Sequence, residues 1–180
     1  VTRMDRLVGD LLILARAERG ALLERRRVRV ADLLEDLRRD MPLLGAERFE
    51  IADVPLLEID ADPDRLAQVL RNLVSNAVRH GGPEGVVRVS ARRAGDVVRF
   101  ALSDEGPGIP PDQIDRVFDR FYRTDLGRDR ESGGSGLGLA ICATLVNGAV
   151  LGPALGGGHA HLRHHHNHNK VILPRTQVNT

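Results

Sequence analysis

The apolar positions near the start of the chain repeat with the period of a helix. Met4, Leu7, Leu11 and Leu14 alternate at spacings of three and four residues, which is the seam of a helix that packs against another helix. Two heptads are too short to be stable alone. The pattern therefore predicts a helix that needs a partner, ended by a linker over 20–27.

Residues 28 to 80 alternate between strand and helix patterns. Val28 and Val30 alternate with arginines as in a short strand. Next are predicted an amphipathic helix over 31–44, strands over 49–53 and 56–60, and a longer helix over 62–80. Asp62 is a suitable cap for that helix, ahead of Pro63 in its first turn. Its buried face is predicted to consist of Leu66, Val69, Leu70, Leu73 and Ala77.

The rest of the chain predicts a hairpin and two short helices. Strands over 86–90 and 97–102 flank a turn at Ala94-Gly95-Asp96. The helices are predicted over 112–118 and 136–146, and the polar stretch between them is longer than ordinary connections, as a lid or a disordered loop is. The order of elements predicts an α+β sandwich with helices on one face of a sheet.

Composition narrows the functional classes. The 180 residues suit one domain plus a short extra element. With 26 basic and 25 acidic residues the net charge is +1, so no bulk field attracts nucleic acid or an anionic membrane. Cys142 is the only cysteine, which favours the reducing cytoplasm. The apolar stretches are shorter than the ~20 residues of a membrane span, and no signal peptide is visible, so no direct membrane insertion is expected.

The helix over 62–80 carries an unusual polar face. Gln68, Asn72, Asn76 and His80 follow one another at spacings of four, opposite the leucines. An asparagine oxygen suits a magnesium ion whose negative ligands come mainly from a nucleotide's phosphates, and Arg79 could reach the same phosphates. A solvated helix face is the alternative interpretation.

Two glycine-rich segments follow. In residues 104–109 the glycines let the backbone come close to a flat ligand, and Asp104 can accept a hydrogen bond from the amine of adenine while repelling the oxygen of guanine. Residues 133–140 open a helix, where free amides form an anion site. No Walker A lysine follows them. A structural turn and a flexible linker are the respective alternatives.

Together these elements resemble the nucleotide-binding motifs of the sensor histidine kinase catalytic domain, in the GHKL superfamily that includes the Hsp90 chaperones. The N box matches at 68–80, the G1 box at 104–109, the F box at 118–123 and the G2 box at 134–139. Residues 4–12 are similar to the second helix of the dimerisation hairpin. The resemblance implies a Bergerat fold, a two-layer α/β sandwich, over 25–158, with an incomplete hairpin helix over 1–24 and a divergent tail over 159–180.

The resemblance also implies roles for the site residues. Asn76 would hold Mg²⁺, and Asp104 would recognise the adenine of ATP. Arg79 and Arg123 would neutralise the phosphates. The implied catalytic residues are Asn72, Asn76 and Arg79. The implied nucleotide-binding residues are these three with His80, Asp104, Gly106, Gly108, Ile109, Phe118, Phe121, Arg123, Gly134, Ser135, Gly136, Leu137, Gly138 and Leu139.

The implied reaction is phosphoryl transfer to a protein. Hydrolysing relatives place a glutamate base where this chain has Asn72, and an amide takes no proton from water. The γ-phosphoryl group is therefore expected to pass to a histidine on a phosphoacceptor protein or dimerisation domain, and from there to a response regulator. An anti-sigma-type serine kinase and a non-catalytic ATP-binding docking module are the competing interpretations. The leading helix argues against the former.

The chain departs from the family pattern at both ends. The phosphoacceptor histidine normally precedes the helix of Met4, and only three residues stand before Met4. We therefore expect this chain to lack its own acceptor, either as a piece of a longer kinase or, as we prefer, as half of a split kinase. Residues 171–174 are expected to replace the last strand, and the histidine-rich residues 159–168 to be disordered or, alternatively, to bind a metal.

Overall fold

A computed structural model describes most of the chain. The described residues are 3–18, 24–52, 54, 56–81, 84–95, 97–123, 135–146, 171–172 and 176–177. Most of the lid predicted between residues 118 and 136 lies outside them, as does the histidine-rich tail over 159–168. The division into 1–24, 25–158 and 159–180 stays a prediction.

Helices and strands follow one another in a mixed order. The helices are α1 (Arg3–Glu18), α2 (Val30–Asp40), α3 (Pro63–Gly81) and α4 (Gly138–Thr144), with short 3-10 turns at Pro42–Leu44 and Pro111–Gln113. The strands are β1 (Arg26–Arg29), β2 (Phe49–Ala52), β3 (Glu58–Ala61), β4 (Val87–Ala94), β5 (Val97–Ser103), β6 (Val171–Ile172) and β7 (Thr176–Gln177).

The described strands form one mixed sheet and one small ribbon. In the sheet, β2 is parallel to β4, β4 is antiparallel to β5, and β6 and β7 both pair antiparallel with β5. The hairpin of β4 and β5 turns at Gly95, as predicted, with φ of +66°. In the ribbon, β1 and β3 are antiparallel, with Val28 opposite Ile59. The predicted strand around residue 171 is confirmed, and it pairs with β5.

The core lies between the helices and the larger sheet. Helix α3 contacts β4 and β5 and is flanked by α2 and α4. All five predicted apolar positions of α3 are buried, and they pack with Phe100 of β5 and Ile141 of α4 in one cluster. This is the predicted α+β arrangement, with helices packed on a sheet.

Asp62 begins α3 as predicted. One carboxylate oxygen accepts hydrogen bonds from the backbone amides of Asp64 and Arg65, both at 3.1 Å, which satisfies two amides that the first turn leaves unpaired. The other oxygen accepts from the amide of Glu24 at 3.2 Å. The cap therefore also ties the segment before β1 to the start of α3.

Three local predictions are wrong. Val30 begins α2 instead of extending β1. Its amide still donates to the carbonyl of Leu57, in the register of the β1–β3 pair, and its side chain is buried. Residues 112–118 form a 3-10 turn and further turns, not a helix. Gly136 lies outside α4 in the left-handed region, with φ of +70°.

Helix α1 buries only part of its apolar seam. Leu14 is 2% exposed and Leu7 is partly buried, and both pack against the core. Met4 is 73% exposed and Leu11 is 45% exposed. The predicted seam is therefore split, with one part docked near α4. Within the described ranges, no helix is long and apolar enough to cross a membrane.

Candidate functional site

The polar face of α3 is half-buried instead of solvated. Asn72, Asn76 and His80 are each partly covered. The Nδ2 atom of Asn72 is buried and has no hydrogen-bond partner within the described residues, a costly arrangement. A solvated helix face, the alternative interpretation, does not describe this surface.

Asn72 lies where α3 packs against α4. The thiol of Cys142 on α4 donates to the carbonyl of Val69 at 3.7 Å. Burial raises the pKa of this thiol to about 12, and a contact with the Asn72 side chain lowers it by less. A neutral thiol is too weak an acceptor to pair the Asn72 amide well. The hydrogen bond from Cys142 to Val69 joins the middle of α3 to α4, the helix that begins within the G2 box.

The end of α3 directly contacts the G1 segment, residues 104–109. A Cβ atom added to Gly106 would lie 2.7 Å from the carbonyl oxygen of His80 and 2.7 Å from Oδ1 of Asp104. One added to Gly81 would lie 3.5 Å from Cβ of Asp104. The structure thus brings together His80, Asp104 and Gly106, and it leaves no room for a side chain at residue 106.

Asp104 is a buried carboxylate at this junction. It is 5% exposed, and its Oδ1 accepts from the backbone amide of Gly106 at 2.8 Å. Gly108 follows with φ of +81°, a left-handed conformation that glycine adopts without strain. Ile109 is half-buried beyond it. A buried carboxylate needs polar partners, and an amine of a bound base would be one.

The F and G2 boxes meet at a second junction. The amide of Phe121 donates to the carbonyl of Gly136 at 3.0 Å. A Cβ atom on Gly136 would lie 2.8 Å from Cα of Phe121. Phe121 has φ of +63°, which is strained for a residue with a side chain. The ring is 57% exposed, so this junction is held by backbone contact rather than by ring burial.

The remaining site residues are placed less closely. Ser135 donates from Oγ to the Asp10 carboxylate of α1 at 3.1 Å and accepts from the Leu137 amide at 3.3 Å. Leu137 is fully buried. Five further members of the predicted set are also half-buried: Arg79, Phe118, Arg123, Gly138 and Leu139. Gly134 lies outside the described residues.

Sequence reasoning missed one cluster beside Asp104. Oε1 of Glu105 accepts from Arg88 Nη1 at 2.9 Å, and its Oε2 accepts from the amide of Val86 at 3.4 Å. Arg88 also donates from Nε to Glu50 at 3.1 Å. Arg88 is 17 positions from Glu105 and 38 positions from Glu50 in the sequence. No local pattern joins residues so far apart, so the sequence alone carried no signal for this cluster.

A magnesium ion fits this site only together with phosphates. Within the described residues, no group of three His, Cys, Asp or Glu side chains is placed to hold a metal. Asn76 offers a neutral amide oxygen on the half-buried face of α3. Magnesium is commonly held by one or two protein groups plus substrate phosphates and waters, and that is the donor set available here.

Comparison with known proteins identifies the fold family. Residues 61–172 match the family described as histidine kinase-, DNA gyrase B-, and HSP90-like ATPase. The chain belongs to this family. The match includes α3, the G1 segment and α4, so the two junctions described above lie within the region shared with histidine kinases.

The chain is similar in sequence to several sensor histidine kinases. The chain is 36% identical over 160 residues to the signal transduction histidine-protein kinase BaeS of Escherichia coli K12, covering 84% of this chain and 34% of BaeS. It is 39% identical over 153 residues to the probable sensor histidine kinase TcrY of Mycobacterium tuberculosis, covering 82% of this chain and 32% of TcrY. The chain thus spans about a third of the length of these relatives.

The chain is also similar to part of a solved structure that contains a nucleotide analogue. Full-length ShkA in complex with AMPPNP superposes with a TM-score of 0.68 at 31% identity, covering 96% of this chain and 36% of ShkA. The chain therefore contains the ATP-binding domain of a sensor histidine kinase, with the GHKL fold.

Proposed function

We propose that this domain binds ATP with Mg²⁺ and transfers the γ-phosphoryl group to a histidine. The observation that carries the proposal is the junction at the end of α3. There the buried Asp104 carboxylate accepts a hydrogen bond from the Gly106 amide, and Gly106 packs against the carbonyl of His80. Such a carboxylate accepts a hydrogen bond from the adenine amine and disfavours guanine, which presents an oxygen instead.

The other predicted residues act on the triphosphate. Mg²⁺, when bound through Asn76, supplies charge neutralisation of the phosphate oxygens. Arg79 and Arg123 add positive charge, and the backbone around Gly136 offers amides to the phosphates. These roles are supported by the half-burial of Asn76 one helical turn before His80 and by the similarity of the chain to ShkA, which was solved in complex with AMPPNP.

Transfer instead of hydrolysis is supported by the amide at Asn72, which cannot act as a base toward water. A ring nitrogen of the acceptor attacks the γ-phosphorus in line, the bond to the β–γ bridging oxygen breaks, and ADP leaves. The acceptor imidazole loses its N–H proton to solvent after attack. We propose that the acceptor is carried by a dimerisation hairpin to which α1 belongs or by a partner protein, and that a response regulator receives the group next.

The cellular setting is also a proposal. Cys142 is a free, buried thiol, which suits a reducing compartment. We therefore place the domain in the cytoplasm.

Labelled ATP tests the proposal. The chain is incubated with γ-labelled ATP, Mg²⁺ and a candidate histidine-bearing hairpin. Acid-labile label on the hairpin is the expected result, and it should disappear with Asn76→Ala. Acid-stable label would indicate a serine kinase instead. ATP binding without any transfer to a panel of hairpins would favour a docking module.

A further inference from the structure

We propose that Arg88 and Glu105 form a positioning pair. The pair holds the G1 segment so that the Asp104 carboxylate stays oriented toward the adenine base of ATP. This inference rests on the proposed function, because it assumes that Asp104 recognises adenine. It adds two side chains to which the sequence motifs assign no role: Arg88, outside the four boxes, and Glu105, within the G1 box.

Glu105 uses both carboxylate oxygens to connect two segments. Oε1 accepts from Arg88 Nη1 at 2.9 Å, and Oε2 accepts from the backbone amide of Val86 at 3.4 Å. Val86 stands directly before β4, and Glu105 stands two residues after the end of β5. The side chain therefore links the G1 segment to the entry of the neighbouring strand.

Arg88 is itself held by the sheet. It lies opposite Ser103 of β5 and beside Glu50 of β2 in the strand register, and Nε donates to Glu50 at 3.1 Å. Hydrogen bonding to Glu105 raises the pKa of Arg88, and the same bond lowers the pKa of Glu105. Both groups are therefore charged at neutral pH. With two carboxylate partners, the guanidinium is restricted in direction as well as in position.

The position of Glu105 affects Asp104 through the backbone. Glu105 lies between Asp104 and Gly106, and these two are already joined by the 2.8 Å bond from the Gly106 amide to Asp104 Oδ1. On its other side, Gly106 packs against the carbonyl of His80. Release of Glu105 therefore leaves the turn attached at α3 but free to rotate where it leaves β5. A hydrogen bond weakens steeply when donor and acceptor are misaligned. A rotated Asp104 should therefore bind ATP less tightly and distinguish adenine from guanine less well.

The pair is exposed, and this sets the size of the effect. The side chains of Arg88 and Glu105 are 39% and 40% exposed. Ion pairs at this exposure stabilise weakly. We therefore expect a change of about three-fold in ATP affinity rather than loss of binding.

The test is a set of variants titrated calorimetrically with Mg-ATP and, separately, Mg-GTP. The variants are Arg88→Gln, Glu105→Gln, the double variant, Glu50→Gln and Arg92→Gln. Arg92 lies on the same face of β4, four residues further on, and is the matched control for loss of a surface arginine. Glu50→Gln removes a sheet contact of Arg88 without touching the G1 segment. Thermal unfolding is recorded for every variant.

The proposal predicts a specific pattern. Arg88→Gln and Glu105→Gln each weaken Mg-ATP binding about three-fold and narrow the ATP-to-GTP preference. The double variant is no worse than either single one, since both remove one interaction. Arg92→Gln binds as the unaltered chain does, and Glu50→Gln has at most half the effect of Glu105→Gln.

Other outcomes overturn it. Equal weakening for ATP and GTP that follows the unfolding temperature would show that the pair acts on stability alone. Glu105→Gln behaving like Arg92→Gln would refute the positioning role while leaving the proposed function intact. Failure of the unaltered chain to bind Mg-ATP would overturn both proposals together.

Discussion

Replacing Gly106 with alanine tests the junction between α3 and the G1 segment. The new Cβ atom would stand 2.7 Å from the carbonyl oxygen of His80, where ordinary contacts begin at 3.4 Å. The two segments must therefore move apart by about 0.7 Å, because the opposing atom is backbone and cannot rotate away. Gly106 does not have the positive φ angle that would itself disfavour alanine. The penalty of the substitution is therefore steric and not conformational.

The expected cost follows from the size of this overlap. Overpacking by a methyl group typically destabilises by about 1–3 kcal/mol, and we take about 2 kcal/mol, since the strain is shared between two segments. For a chain of this size that lowers the unfolding temperature by about 4–8 °C. Because the displaced segment carries Asp104, ATP affinity should fall about ten-fold, equivalent to about 1.4 kcal/mol.

The assay is thermal unfolding combined with calorimetric titration of Mg-ATP. Gly9→Ala is the matched control, because a Cβ atom there meets nothing within 4 Å. Alanine in a helix interior should raise stability by about 0.5–1 kcal/mol. If Gly106→Ala matched Gly9→Ala in both measurements, the close approach of His80 and Gly106 would be wrong.

Three further predictions concern other parts of the molecule. Asn76→Ala should lower Mg-dependent ATP binding at least ten-fold, and titration with and without Mg²⁺ checks it; unchanged binding would remove Asn76 from the metal site. Asp62→Ala should destabilise the domain by about 1 kcal/mol through loss of the α3 cap, measured by urea unfolding. Cys142 should resist thiol reagents at pH 8 until the domain unfolds, since its pKa is raised to about 12. Because the unfolded thiol ionises first, the contribution of this thiol to stability should be constant below pH 9 and decline between about pH 9 and 12; rapid labelling of the folded chain would contradict this.

Local patterns in the sequence determined the main elements. The period of the apolar residues and the Asp62 cap located α3 to within one residue at each end. Alternation and Gly95 located the hairpin of β4 and β5. The residue types at 72, 76 and 104 suggested a nucleotide site, because their chemistry is visible without coordinates. These features depend on neighbours within one or two turns of chain, and such neighbours are fixed by the sequence order.

Only the tertiary structure decided which segments meet. Val30 keeps a hydrogen bond to Leu57 in the register of the β1–β3 pair, yet its side chain is buried and it begins α2. The closeness of Gly106 to His80 and the pairing of Arg88 with Glu105 depend on how α3 and β4 pack with the segment after β5. The partial burial of the α1 seam depends instead on how α1 docks beside α4. Contacts between distant residues arise from burial of the whole core, and periodicity along the chain carries no record of them.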